Sequence, residues 1–169
     1  MPNWCHNTLT VTGEPALLQE FVRRVKVDGE QATPLSFANI KPEPTEAEYD
    51  GGGWYGWRVK NWGTKWDASF HDVGGFVALS SDDADVDLSV DAMGAQVTPE
   101  AVVYKFDTAW SPPLAVIEAA AELFPALRFE LRYGEPGNDF AGRFTAHGDE
   151  REDEELKVSD VLALEEMWF

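Results

Sequence analysis

The sequence is poor in cysteine and in positive charge. Cys5 is the sole cysteine among 169 residues, so no internal disulfide can form and a reducing compartment suits the chain. No run approaches the roughly 18 consecutive apolar residues of a membrane span. The opening Met1-Pro2-Asn3-Trp4-Cys5-His6-Asn7 lacks the basic region and apolar core of a secretory signal. The expected location is the cytoplasm. Only 13 Lys and Arg stand against 31 Asp and Glu, a net charge of −18. That sign disfavours double-stranded nucleic acid and anionic membranes as partners, because both attract basic surfaces.

What the sequence has in abundance is acid, unevenly placed. Residues 1–75 hold 10 acids and 7 bases, whereas residues 76–169 hold 21 acids and 6 bases. Asp82, Asp83, Asp85, Asp87 and Asp91 form one cluster. Asp149, Glu150, Glu152, Asp153, Glu154 and Glu155 form another, broken only by Arg151. Adjacent like charges repel and offer nothing to bury, so residues 149–155 read as a solvated or mobile segment. A folded chain of this length has about 8,300 Å² of surface, hence one net charge per roughly 460 Å². B-DNA carries one phosphate per roughly 100 Å². Mimicry of nucleic acid by the whole surface fails by about fourfold, and only a local strip comes closer. Solubility and adaptation to high salt are equally good uses for the excess.

The remaining composition is that of one globular domain. Residues 7–12 alternate, with Leu9 and Val11 opposite Thr8, Thr10 and Thr12, a half-buried strand closed by Gly13. Helical spacing follows over 14–27, where Leu17, Leu18, Phe21, Val22 and Val25 form an apolar stripe behind Pro15. Residues 28–53 carry turn chemistry, with Leu35, Phe37 and Ile40 tacked onto the core. A short helix is expected from about 54 to 61, then a strand over 65–71. Residues 76–80 and 86–90 read as the arms of a hairpin. Val102, Tyr104, Phe106 and Thr108 define the next strand, and Pro112-Pro113 opens a helix burying Leu114, Ile117, Ala120, Ala121 and Phe124. Leu127, Phe129, Leu131 and Tyr133 define another strand, and residues 140–147 return as a last one. A short helix is expected within 156–169.

Without the hairpin and the last strand, this order is βαββαβ, the split βαβ arrangement of ferredoxin-like sandwiches. The expected fold is α+β: an antiparallel sheet with two helices on one face, an inserted acidic hairpin at about 72–100 and an extra C-terminal strand. Residues 1–148 make one domain, and 149–169 an acidic C-terminal segment.

Four motifs then stand out. They are Pro2-Asn3-Trp4-Cys5-x-Asn7-x-Leu9; Trp57-Arg58-x-x-Asn61-Trp62-Gly63-Thr64-Lys65-Trp66-Asp67; Phe106-Asp107-Thr108-Ala109-Trp110-Ser111-Pro112-Pro113; and Tyr133-Gly134-Glu135 with Phe140-Ala141-Gly142. Together they resemble the YubB-like family of plasmid- and phage-encoded proteins, described as having a ferredoxin-like domain. The resemblance covers most of residues 2–145, in order. It implies the same fold and a mobile-element origin. The family has no established activity, so the resemblance brings no catalytic residue. Region 72–100 and the tail after 148 depart from the family pattern.

Between 54 and 66 five aromatics, Trp54, Tyr55, Trp57, Trp62 and Trp66, interleave with polar and basic residues. Rings that stack bases beside cations that meet phosphates are the chemistry of single-stranded nucleic-acid binding. Trp54, Trp57, Arg58, Asn61, Trp62, Thr64, Lys65, Trp66 and, further on, Trp110 are therefore the candidate binding set. The competing reading makes these tryptophans a second small core, with Asn61 and Thr64 satisfying buried backbone.

Cys5 beside His6, with His71 and His147 elsewhere, has the residue types of a nucleophile and a base. Neighbours on a strand nevertheless point to opposite faces. An enzyme would need a polar cavity, such as Glu135, Asn61 and a histidine brought together. Asp83, Asp85 and Asp87 have the opening spacing of a calcium loop, but Leu88 and Gly94 stand where that loop needs glycine and glutamate. No metal site and no cofactor are expected. The expected function is a non-enzymatic protein-binding module or inhibitor. In it Asp82, Asp83, Asp85, Asp87 and Asp91 engage a basic, nucleic-acid-handling protein partner. Single-stranded nucleic-acid binding through residues 54–67 is the alternative, and an enzyme of unknown class the third reading.

Overall fold

The computed structural model describes residues 3–29, 32–45, 48–49, 51–70, 95–97 and 101–160. The first strand, β1 (Trp4–Thr12), alternates without a break. Cys5, Asn7, Leu9 and Val11 are buried, while Trp4, His6, Thr8, Thr10 and Thr12 turn to the other face. The helix α1 (Pro15–Val25) takes proline in its first turn, ends on Arg23 and Arg24, and buries Leu18, Phe21, Val22 and Val25. After a 3₁₀ turn at Phe37–Asn39 come α2 (Gly53–Asn61), β2 (Ala95–Val97), β3 (Ala101–Ala109) and α3 (Leu114–Leu123). Then follow β4 (Arg128–Glu135), β5 (Phe140–His147) and β6 (Glu150–Leu156).

The sheet runs β2-β3-β1-β4-β5-β6, with every neighbouring pair antiparallel. β3 lies between β1 and β2, which is the split βαβ unit, and β4 closes the ferredoxin-like set beyond β1. The fold is therefore α+β and ferredoxin-like, extended by β5 and β6. Register sets Leu9 between Tyr104 and Leu131, and Val11 between Val102 and Phe129. Phe21 from α1 meets Tyr104, Phe124 and Phe129 edge-on at centroid distances of 6.1, 5.5 and 5.4 Å. Edge-to-face pairs of this kind add about 0.5–1.5 kcal/mol beyond the area they bury, which seats α1 on the sheet. From α3, Val116, Ile117, Ala120 and Ala121 enter the same core.

Three expectations need correction. Of the strand expected over 65–71, the described residues 65–70 show a single bridge, from Ser69 to Asp107 of β3, and residue 71 lies outside them. The preceding backbone is held in a turn by Asp67, whose carboxylate accepts from Phe37 N–H, Ala68 N–H and the Ser36 hydroxyl, each at 2.7 Å. Among the described residues the second sheet strand is instead Ala95–Val97. Most of the apparent insertion therefore precedes that strand, where it had been expected between the second and third. The acidic residues 149–155 are not a loose tail either. From Glu150 onward they form β6, paired along β5 from Ala141↔Leu156 to His147↔Glu150. Backbone hydrogen bonding requires no apolar side chain, and a charged edge strand is a common protection against edge-to-edge pairing. The hairpin expected at 76–80 and 86–90 lies outside the described residues. The chain turns helical at 158–160, and the rest of the expected C-terminal helix lies outside them too. Among the described residues no helix is long and apolar enough to cross a membrane.

Candidate functional site

β1 begins, β3 and β4 end, and β5 begins at one end of the sheet. Trp4 pairs with Ala109, His6 with Gly134, and Glu135 with Phe140. The four motifs, far apart in sequence, therefore meet there.

Much of their chemistry holds that end together. The Asn7 amide donates to the carbonyls of Cys5 (3.0 Å) and Phe106 (3.4 Å) and to the Thr108 hydroxyl (2.9 Å). The Thr64 hydroxyl donates to the Ala109 carbonyl at 2.8 Å, and that of Ser111 to the Gly63 carbonyl at 2.6 Å. Gly63 has φ 88°, and a Cβ there would lie 3.0 Å from the Leu114 nitrogen and 3.1 Å from the Pro112 oxygen. Conformation and space both require glycine at that point. The buried Glu135 carboxylate accepts from the backbone N–H groups of Gly137 and Asn138, closing the β4–β5 turn.

The structure divides the candidate binding set. Trp62 is buried, its indole N–H donating to the Lys41 carbonyl at 2.9 Å. Trp57 packs against Trp62 at 5.6 Å. Asn61 donates to the Trp57 carbonyl at 2.9 Å, and Thr64 is fully enclosed. These four serve the fold. Trp54, Tyr55, Trp66 and Trp110 are instead exposed, at 45, 49, 37 and 45%.

Between the two groups runs an alternating series of rings and cations. The Arg58 guanidinium lies 5.0 Å from the ring centroids of both Trp54 and Trp62. It also donates to Glu43 Oε1 through Nε (3.0 Å) and Nη2 (2.6 Å). That guanidinium holds the Glu43 carboxyl below its ordinary range, outweighing the opposing effect of burial, and the Tyr49 hydroxyl at 2.6 Å adds to it. Trp54 meets Tyr55 at 5.9 Å. Lys65 Nζ lies 5.6 Å from the Tyr55 ring and 4.8 Å from the Trp66 ring, and Trp66 meets Trp4 at 6.2 Å. Sequence reading found the aromatic–basic interleaving. It could not tell which ring would be core, because Trp62 is enclosed by Phe37 and the Lys41 carbonyl, which lie over 20 residues earlier.

The sheet's far edge is a different surface. Residues 150–155 of β6 are all exposed, so carboxylates project to both faces of an ordered strand. Glu154 pairs with Arg143 at 2.7 Å. Next to it, Tyr133 lies under β6 and donates to Asp153 Oδ1 at 3.3 Å. Burial first, and the Asp153 carboxylate second, push the Tyr133 phenol up to about 12. A surface depression of about 340 Å³ opens there, lined by Tyr133, Phe140, Ala141, Asp153 and Glu155. A second, of about 540 Å³, is lined by Asp139 and residues 155–159. Neither lining contains a histidine or cysteine. Cys5 is buried on the helix side, while His6 faces the opposite side with Nδ1 2.6 Å from Asp107 Oδ1. Glu135, Asn61 and His6 are each engaged elsewhere and do not converge. Among the described residues, no group of three or more His, Cys, Asp or Glu is placed to hold a metal ion. The cluster from Asp82 to Asp91 lies outside the described residues.

In comparison with known families, residues 88–166 are similar to the family described as the ferredoxin-like domain in Api92-like protein. The similarity runs from ahead of β2 to beyond β6 and so takes in the acidic edge strand, while β1 and α1 lie outside it. No curated protein and no solved structure matches the chain.

Proposed function

We propose that the chain is a non-enzymatic protein-binding module whose acidic surface engages a basic partner that itself handles nucleic acid. The observation that carries this reading is β6: the acidic run is a strand fixed to the sheet. The strand β6 itself carries five acids and one base. Seven residues of strand extend about 23 Å, or one net charge per about 6 Å, against one phosphate per about 3.4 Å along one DNA strand. Along this strip the shortfall is about 1.7-fold. A cationic groove shaped for a phosphate backbone is the complementary surface.

On this reading the setting is cytoplasmic. The YubB-like resemblance of the motifs makes the module an accessory of a phage or plasmid. The acidic cluster Asp82, Asp83, Asp85, Asp87 and Asp91 is a second candidate contact. Capture from host lysate tests the proposal. Wild-type protein retains basic nucleic-acid-handling proteins, duplex DNA displaces them, and Glu150→Gln/Glu152→Gln/Glu154→Gln recovers far less. Unchanged recovery by that variant, and by one with the Asp82–Asp91 carboxylates neutralised, would sink it.

A further inference from the structure

The exposed half of the aromatic–cation series remains without a use in the fold. Trp62 and Trp57 are satisfied by packing, and Arg58 is tied to Glu43. Trp54, Tyr55 and Trp66 keep 37–49% of their surface in water, which is unusual for large rings grouped together. Lys65 sits between two of them and pairs with no carboxylate among the described residues.

The local charge also differs from that of the molecule. Residues 51–70 hold three bases, Arg58, Lys60 and Lys65, and one acid, Asp67. Asp67 is occupied by three hydrogen-bond donors of the fold. With Glu43 paired to Arg58, the patch still keeps one surplus positive charge on a chain of net charge −18. The acidic strand β6 lies three strand spacings beyond β1, about 14 Å away. That exceeds the Debye length of about 10 Å at 0.1 M salt.

We infer that the surface formed by Trp54, Tyr55, Lys65 and Trp66 binds single-stranded nucleic acid. Bases stack on the three rings, and Lys65 meets the phosphates between them. An acidic peptide would satisfy Lys65 but would leave the ring faces without planar partners. A duplex keeps its bases stacked on one another and cannot offer them. A strand with exposed bases fits both the rings and the charge. The site is independent of the acidic edge, so either can fail without the other.

Anisotropy of a fluorescein-labelled oligothymidylate, titrated with the full chain at low ionic strength, tests the inference. Saturable binding is expected. Trp54→Leu, Tyr55→Leu and Trp66→Leu each weaken it by roughly five- to 150-fold. Lys65→Gln leaves the rings in place and flattens the log–log salt dependence by about 0.7. Circular dichroism keeps loss of fold apart from loss of site, and Lys65→Gln guards against a ring variant that unfolds. The Glu150→Gln/Glu152→Gln/Glu154→Gln protein should bind the oligonucleotide at least as well as wild type. Absence of binding, binding indifferent to the ring variants, or equally tight competition by duplex DNA or by polyglutamate would overturn the inference.

Discussion

At the scale of single residues, the sheet's outer half turns on Tyr133 and Gly142. They are Cα partners on β4 and β5, and the Tyr133 phenol occupies the space a side chain at 142 would need. Gly142→Ala forces the Tyr133 ring or β6 to move, an overpacking cost of about 1–3 kcal/mol. Thermal melting will show a lowered midpoint. The phenol provides a second test, by ultraviolet titration of phenolate. Its proton is held up to about 12 in the folded protein, against 10.0 ordinarily. The unfolded chain therefore releases that proton first as pH rises. Stability is level below pH 10 on this account and declines between 10 and about 12. Asp153→Asn removes the nearest carboxylate, and the phenol titrates lower. If it titrates at its ordinary value in the wild type, Tyr133 does not lie under β6.

Among the elements, the turn from 62 to 68 was the part least legible in the sequence. Alternation of Trp66, Ala68 and Phe70 looks like a strand, and Ser69 does reach β3 once. What overrides the pattern is Asp67, a single carboxylate accepting three hydrogen bonds, one from its neighbour Ala68 and two from Ser36 and Phe37, about 30 residues earlier. No local periodicity announces such an acceptor. Asp67→Ala leaves two backbone N–H groups and a hydroxyl without their acceptor. Bonds to charged groups are worth about 1.5–3 kcal/mol each. Urea denaturation is expected to lose at least 2 kcal/mol, about the value of one such bond, with an unchanged slope. β1, α1, α3, β4 and β5 were readable because each buries one periodic face in a single core. β6 was not, because its place rests on backbone pairing while its side chains argue for solvent. In the candidate site, composition located the rings correctly. Their division into Trp62 within and Trp54, Tyr55 and Trp66 without depends on contacts from elsewhere in the chain, since Trp62, just past α2, meets Phe37 and the Lys41 carbonyl.

Considered as a whole molecule, the fold presents two unlike surfaces on one sheet system, a cationic aromatic one where β1 begins and an acidic edge at β6. The edge also has a protective role that is separable from binding. A chain ending after Gly148 lays bare β5, whose Phe144 and Ala146 lie in the core and whose unpaired backbone can then recruit another copy. Size-exclusion chromatography with light scattering should find that truncated protein associating, while the Glu150→Gln/Glu152→Gln/Glu154→Gln protein keeps the oligomeric state of the wild type. Truncated protein with the same mass as wild type would show that β6 does not guard the sheet.

The central position of β1 has a further consequence, for synthesis. Its partners come late: the Asn7 amide bonds to the Phe106 carbonyl, 99 residues away, and β4 is later still. At about 5–20 residues per second, the strand waits roughly 5–20 s before β3 emerges, and longer for β4. Throughout that interval Leu9 and Val11 have no sheet to enter, and α1 has no floor on which to lay Phe21. Threonine at 8, 10 and 12 keeps every second position of the waiting strand hydrated. The nascent chain thus carries the central strand of its sheet unpaired until β3 and β4 have been made.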